Sequence, residues 1–445
     1  MNGAELGLAY SLPFAGILLS IAVLPLLAPA FWHAHFGKVT LFWTLLLVVP
    51  LTGRLGTGAM AHELVHVFVG EYLPFVVLLL ALFVVSSGIV VRGDLRGRPS
   101  VNTAILAVGT LLASLMGTTG ASILLVRPLI RANLHRRHHV HVFVFFIFLV
   151  GNVGGALTPL GDPPLFLGFL KGVDFFWPAR HLAAPALLLS VGLLALFYVI
   201  DRHYHRREPG VAEPMSIAAQ PIAIAGGGNF LLLAAIVGTI LLSGTWKPGI
   251  HIALLGTDVP LQNLLRDLLL LAIAALSWRL TPRTLHAENA FSWAPIVEIA
   301  KLFAGIFVTI LPVIAILQAG SDGALAGLIG LSTRADGTPN PAAYFWLTGI
   351  LSAFLDNAPT YLVFFNLAGG DAAALMTSLS STLMAISAGA VFMGACTYIG
   401  NAPNFMIKAI AEDRGIAMPS FFGFMAWSGA ILIPLFVMMT LLFFA

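Results

Sequence analysis

Apolar residues run in blocks along most of this chain, and many blocks approach the twenty or so residues a helix needs to cross a bilayer. Such blocks fall near 10–31, 39–52, 73–91, 139–170, 181–200, 229–245, 263–279, 294–318, 376–407 and 421–444. Two further apolar segments, 101–126 and 343–368, are interrupted halfway by Gly, Pro, Thr, Asn and Asp. One long polar stretch, DRHYHRREPGVAEPMSIAAQPIAIAGGG over 201–228, divides the chain in two. The pattern predicts an all-α polytopic membrane protein with a first unit over 1–200, a linker over 201–228 and a second unit over 229–445.

Composition points the same way. Charged residues make up 9% of the chain and mean hydropathy is +0.97, against roughly 25% charged residues in a soluble domain. Charge this sparse cannot cover a water-facing surface, so most of the surface must face the lipid bilayer. Loops without a domain-sized insertion argue against a nucleic-acid or soluble-enzyme function. The N-terminal MNGAELGLAYSLPFAG lacks a basic region, so the first block reads as a permanent span. Cys396 is the single cysteine, which excludes an intrachain disulfide and a cysteine cage for a metal.

Basic residues then orient the spans. Let the two interrupted segments be re-entrant hairpins, over 101–133 and 343–368. The inside loops carry Lys38, Arg92, Arg96, Arg98, Arg127, Arg131, Arg136, Arg137, Arg202, Arg206, Arg207, Arg279, Arg283, Lys408 and Arg414, fifteen in all. The outside loops carry five: Arg54, Lys171, Arg180, Lys247 and Arg334. Lys301 and Arg266 fall within spans and complete the 22. A hairpin that crossed the membrane would swap every later loop and dilute this bias. The linker lies inside, and an odd number of crossings between the hairpins gives the two halves opposite topology.

The halves also repeat one another. ASLMGTTGASILLVRPLI from Ala113 aligns with LSAFLDNAPTYLVFFNLA from Leu351, pairing Thr118 with Asp356, Thr119 with Asn357 and Ser122 with Thr360. GGALTPLGDPPLFL from Gly154 aligns with MGACTYIGNAPNFM from Met393, pairing Thr158 with Thr397 and Asp162 with Asn401. Gly and Pro cannot continue a helix, so helices over 139–170 and 376–407 break at membrane depth. Unwound backbone there leaves unpaired N–H and C=O groups, which is tolerable only against protein or a polar cavity. Paired breaks in inverted halves point to the binding site of a transporter.

NVGGALTPLGDPP, SAFLDNAPT and GACTYIGNAPN resemble the signature segments of the ion transporter superfamily, secondary permeases that include sodium/proton antiporters, citrate and dicarboxylate carriers and arsenite permeases. The resemblance covers nearly all of the chain from about residue 73. It implies a homodimer with a fixed scaffold and a transport domain that moves like an elevator, with both hairpins and both broken helices in the moving part. By residue matching, the tips Thr118, Thr119, Ser122, Asp356, Asn357 and Thr360 face the site, and Asn152, Thr158, Asp162, Thr397, Asn401 and Asn404 complete it. The first tip, GTTGAS, departs from the Asn-x-Pro-Thr form kept at 357–360.

Asp162 and Asp356 bear on the substrate. An ionisable group at membrane depth costs roughly 2.5–3.5 kcal/mol on insertion scales and usually has a function. Neither broken-helix motif contains Lys or Arg, whereas two carboxylates with hydroxyls, amides and free carbonyls suit a small cation competing with protons. The expectation is a sodium or lithium/proton antiporter of the cell membrane, needing no cofactor beyond its coupling ions, with sodium at Asp162, Asp356, Asn357, Thr158 and Thr397. The alternative is sodium- or proton-coupled transport of an organic anion such as citrate or a dicarboxylate. Each Asp could instead cap the helix that follows it, and the tip hydroxyls could bond backbone within the hairpin.

Three features stand apart. HELVH, from His62 to His66, matches the zinc-protease pattern, with His62 and His66 on one helical face and Glu63 as base. It is expected in an outer loop without a third ligand, so no bound zinc is expected and a zinc metalloprotease is the remote alternative. HRRHHVH over 135–141 reads as a solvated inner loop, with a pH-sensing role as the alternative. Glu298 and Lys301 are close enough along one helix to pair.

Overall fold

The computed structural model describes residues 1–93, 95–208 and 221–445; residues 209–220 of the expected linker lie outside the described residues. The chain opens with α1 (Leu12–Leu27) and α2 (Pro29–Leu55), packed together and hinged at Ala28. Pro29 supplies no N–H to α1 and starts α2 at its first turn. The expected loop around Phe31–Lys38 is helical, so the second span has 27 residues instead of the short run at 39–52. Hydropathy fades over the two histidines and the lysine there, yet nothing in the segment breaks a helix.

A second correction follows at Gly56, whose φ of +83° turns the corner. The expected outer loop is α3 (Thr57–Val67), which runs through a π-helical turn at Phe68–Tyr72 into α4 (Leu73–Ser87), one rod of 31 residues. The sequence there is amphipathic: Met60 and Val67 are buried while His62 and His66 face outward. Such a helix reads as polar on average and hides from a hydropathy search.

Helices α5 (Pro99–Met116) and α6 (Thr118–Asn133) pack side by side and are joined by Gly117 alone, at φ +80°. The first broken helix is α7 (Val140–Leu149), a 3-10 turn at Val153–Leu157, and α8 (Pro163–Leu170). Helix α9 (Trp177–Arg206) leads to the linker. After it come α10 (Gly228–Thr245), α11 (Leu261–Leu280), the short α12 (Arg283–Glu288), α13 (Ala294–Thr309), α14 (Leu311–Gln318) and α15 (Ala326–Ser332). The second helix pair is α16 (Pro341–Phe354) and α17 (Asn357–Leu367), followed by the short α18 (Ala372–Met376). The second broken helix is α19 (Ser380–Met393), a 3-10 turn at Gly394–Cys396, and α20 (Ala402–Asp413). Helix α21 (Phe421–Phe443) ends the chain. Two small ribbons complete the fold, β1 (Val90–Arg92) with β2 (Ala223–Ala225) and β3 (His251–Leu254) with β4 (Thr257–Pro260), both antiparallel.

Among the described residues, ten helices are long and apolar enough to cross a membrane. Several ties between helix ends join segments that the charge pattern puts on one side. Arg92 pairs with Glu288 at 2.5 Å, Arg131 donates to Val91 O and β1 meets β2, all at the expected inner end. Lys171 pairs with Glu71 at 2.6 Å and Arg54 with Glu5 at 3.2 Å at the other. Glu298 does not meet Lys301; the Lys301 ammonium lies over the Phe36 ring at 5.4 Å, where its charge meets the negative ring face.

The core centres on α7. Residues 142–150 have no exposed surface, and α5, α9 and α20 pack around them. Helices α2 and α21 turn most of their surface outward, α2 showing Leu41, Phe42, Leu45, Leu46 and Val49. Lipid is as apolar as these side chains, so close packing and internal hydrogen bonds, more than apolar burial, must hold the helices together.

Candidate functional site

The two pairs and two broken helices interlock crosswise. Helix α17 packs on α8 and α6 on α20, so the second arm of each pair lies on the far half of the broken helix more distant from it in sequence. The first arms run beside the near halves, α5 along α7 and its 3-10 turn, and α16 along α19. Four helix N-termini, those of α6, α8, α17 and α20, are thereby drawn together.

Each break meets its backbone obligations with local side chains. In the first, Ser114 Oγ donates to Gly154 O at 2.5 Å and accepts from Leu157 N at 3.1 Å. Thr158 Oγ1 donates to Ser114 O and accepts from Leu160 N at 3.2 Å. In the second, Thr397 Oγ1 donates to Ala353 O at 2.5 Å and accepts from Ile399 N and Gly400 N at 3.2 and 3.1 Å. Asn404 Nδ2 donates to Gly394 O and Thr397 O, both at 2.8 Å. Thr158 and Thr397 therefore spend their hydroxyls on the chain. The glycines match as well: a Cβ on Gly161 would sit 2.2 Å from Gly155 O, and one on Gly400 2.6 Å from Gly394 O. Only glycine lets the two sides of each break approach so closely.

Asp162 is the point of convergence. It occupies the residue before α8, but Pro163 and Pro164 follow and offer no N–H, while Leu165 N is taken by Asp162 O at 3.1 Å. The carboxylate therefore does not cap its own helix. Its Oδ1 accepts from Thr118 Oγ1 at 3.2 Å and Asn401 Nδ2 at 3.1 Å, and its Oδ2 from Asn357 Nδ2 at 2.5 Å. One side chain from each of the other three elements thus reaches it. Asp162 is 1% exposed, and all three partners are neutral and buried. Asn401 also reaches Gly151 O and Asn152 Oδ1, and Asn152 donates to Asn404 Oδ1 at 2.7 Å and Ile147 O at 2.8 Å. These amides tie the two breaks into one network.

The remaining expected residues divide. Asp356, half-buried, caps α17 by accepting from Ala358 N at 3.1 Å. Thr360 Oγ1 donates to Leu355 O and Asp356 O within its own turn. Ser122 Oγ and Asn357 Oδ1 are buried without a hydrogen-bond partner, and Thr119 lines a cavity beside Asp162. That cavity, of about 50 Å³, runs along Gly117–Gly120 and Pro159–Pro163 and is walled by Leu78 and Leu82 of α4 and Ile296 and Ile299 of α13. It has room for a few waters, and no Lys or Arg lines it. The walls from α4 and α13 carry no motif and no repeat partner, so the sequence held no signal for them.

At His62-Glu63-x-x-His66 the geometry does not assemble a zinc site: both histidines are exposed on α3, and no cluster of three metal-capable His, Cys, Asp or Glu side chains occurs among the described residues.

The fold and this site define a polytopic secondary permease. A family profile described as "Putative citrate transport" matches residues 3–444, and the chain belongs to that family, of citrate-transporter-like type. It is similar to two proteins named as uncharacterized transporters, from Mycobacterium bovis and Mycobacterium tuberculosis. Each is 23% identical over 332 residues, covering 72% of this chain and 71% of the relative. The protein is a transporter and not an enzyme, which overturns the protease alternative.

Proposed function

We propose that this permease is driven by a cation, sodium or a proton, that binds at the Asp162 carboxylate and is released on either side of the membrane by alternating access. The convergence of Thr118, Asn357 and Asn401 on one buried carboxylate carries the reading. With only neutral partners, a buried carboxylate bears an uncompensated charge, costing several kcal/mol; a bound proton or sodium ion cancels it. Asn357 Oδ1, buried and without a donor, is a further oxygen for a cation. Sodium/proton exchange is the simplest use of such a site, since both ions seek the same atoms.

A second reading has its own support. The family's description is of citrate transport, and the N-termini of α6, α8, α17 and α20 point partial positive charge at one place. In that case the Asp162 cation neutralises the site and a citrate-type anion moves with it. The cavity of about 50 Å³ is smaller than a tricarboxylate, so this reading needs the hairpin tips to part.

The remaining architecture of the reading is an inverted repeat of 1–200 and 229–445, a linker on the cytoplasmic face of the cell membrane, and a homodimer whose hairpins and broken helices move as an elevator. The charge bias and the resemblance support it. The test is proton flux in liposomes loaded with a pH dye. Lumenal alkalinisation on adding sodium or lithium alone, absent in Asp162→Asn, supports exchange. Flux that requires citrate supports the anion reading. Flux with every ion that survives Asp162→Asn removes Asp162 from both.

A further inference from the structure

Away from the helix breaks, the end of the molecule richest in arginine holds a buried cluster of another kind. Asp201, near the end of α9, has no exposed surface. Its Oδ1 lies 2.6 Å from Arg136 Nη1 and 2.9 Å from His141 Nε2, and its Oδ2 accepts from Asn102 Nδ2 at 2.9 Å. Asn102 and Asn133 exchange amide hydrogen bonds of 2.9 Å in both directions. Arg136 Nη1 also donates to Gly97 O at 3.1 Å. One edge of the guanidinium is therefore locked by α9 and by the loop before α5, and Arg136 is only 3% exposed.

Its other edge is only partly matched. Nη2 is buried without a hydrogen-bond acceptor, and Nε has an ion pair with Glu208 Oε2 at 3.5 Å but no hydrogen bond. A guanidinium presents its donors as a fixed fork suited to the paired oxygens of a phosphate or carboxylate. Among the described residues, Arg136 lines a cavity of about 40 Å³ together with Arg96, Arg98, His135, His205 and Glu208, five basic side chains and one acid. The cavity lies at the C-terminal end of α6, fifteen residues and so about 22 Å from Thr118 along the helix, and shares no lining residue with the cavity beside Asp162.

We propose that this cavity is an oxyanion site, taking a phosphate-type group on the pre-set fork of Arg136 with Arg96 and Arg98 at its rim. The group comes from an anionic lipid headgroup or from a free anion. Basic pockets between helix ends on the inner face hold anionic headgroups, and the excess of Lys and Arg marks this end as inner.

The experiment uses the full chain in nanodiscs of phosphatidylcholine alone or mixed with phosphatidylglycerol, with inorganic phosphate titrated and the thermal midpoint read. For a free-anion site, phosphate raises the midpoint in phosphatidylcholine discs, and the Arg96→Gln/Arg98→Gln variant, altered only at exposed positions, needs about ten-fold more phosphate. For a headgroup site, phosphatidylglycerol raises the midpoint and blunts the phosphate response, and both effects weaken in the variant. Arg136→Lys keeps a charge against Asp201 while removing Nη2, and should weaken the same responses. Should that variant fail to fold, the rim variant still decides. Equal responses in wild type and rim variant, or no response in either, overturn the proposal.

Discussion

A carboxylate just ahead of a helix ordinarily bonds the helix's free N–H groups, and Asp356 does so, whereas Pro163 and Pro164 leave Asp162 nothing of its own helix to bond. Similar placement thus produces two roles, and substitution should separate them. Asp356→Ala removes a cap and should cost about 0.5–2 kcal/mol, while Asp356→Asn, which caps nearly as well, should leave the thermal midpoint nearly unchanged. Asp162→Asn should behave oppositely: it removes a buried charge, holds the midpoint within a few degrees and abolishes cation-driven flux. A midpoint collapse in Asp162→Asn with Asp356→Ala unaffected would reverse the two assignments. Both aspartates were visible in the sequence. Their division of labour was not, because a hydrogen bond between residues 162 and 401 depends on how two distant helices pack.

At the scale of elements, the breaks are held by glycine approach and by side-chain bonds. Gly161→Ala would set a methyl 2.2 Å from Gly155 O, a backbone atom that cannot turn aside. The cost should reach or exceed the roughly 1–3 kcal/mol typical of overpacking, seen as a lowered midpoint or lost expression. Gly238→Ala in α10, with nothing within 4 Å of the added Cβ, is the control and should be neutral or stabilising. Asn404 satisfies two carbonyls of its own break and accepts from Asn152 across to the other. Asn404→Ala should cost at least about 1–3 kcal/mol for the groups left unpaired, measured by thermal unfolding in detergent. Sequence pattern located these breaks to within a few residues, since Gly and Pro act on the backbone whatever surrounds them. It misplaced α2 and α3, where polar side chains ride on unbroken helices: hydropathy registers the side chains, and the backbone answers to the absence of a breaker.

For the whole molecule, the decisive question is sidedness. The ties of Arg92 to Glu288 and of Lys171 to Glu71 each join segments that the charge pattern assigns to one side. Cys396 is the single cysteine, so its replacement permits labelling of one introduced cysteine at a time. Asp336→Cys, exposed between α15 and α16, should react in whole cells with a membrane-impermeant maleimide, and Ser100→Cys, exposed at the start of α5, should not. Equal labelling of the two would break the inverted arrangement of the halves and the inner placement of the Arg136 cavity together.

Taken alone, the sequence determined that the chain is a polytopic helical membrane protein and where its helices break. Those features follow from bilayer thickness and the local conformational limits of Gly and Pro, neither of which depends on long-range contacts. Only the tertiary structure decided that Asp162 gathers Thr118, Asn357 and Asn401 while Asp356 closes a turn. It alone showed that α4 and α13 wall the cavity, that His62 and His66 face outward, and that Arg136 is locked against Asp201. Each of these rests on side chains far apart in the chain meeting at hydrogen-bond distance, and that is settled by packing.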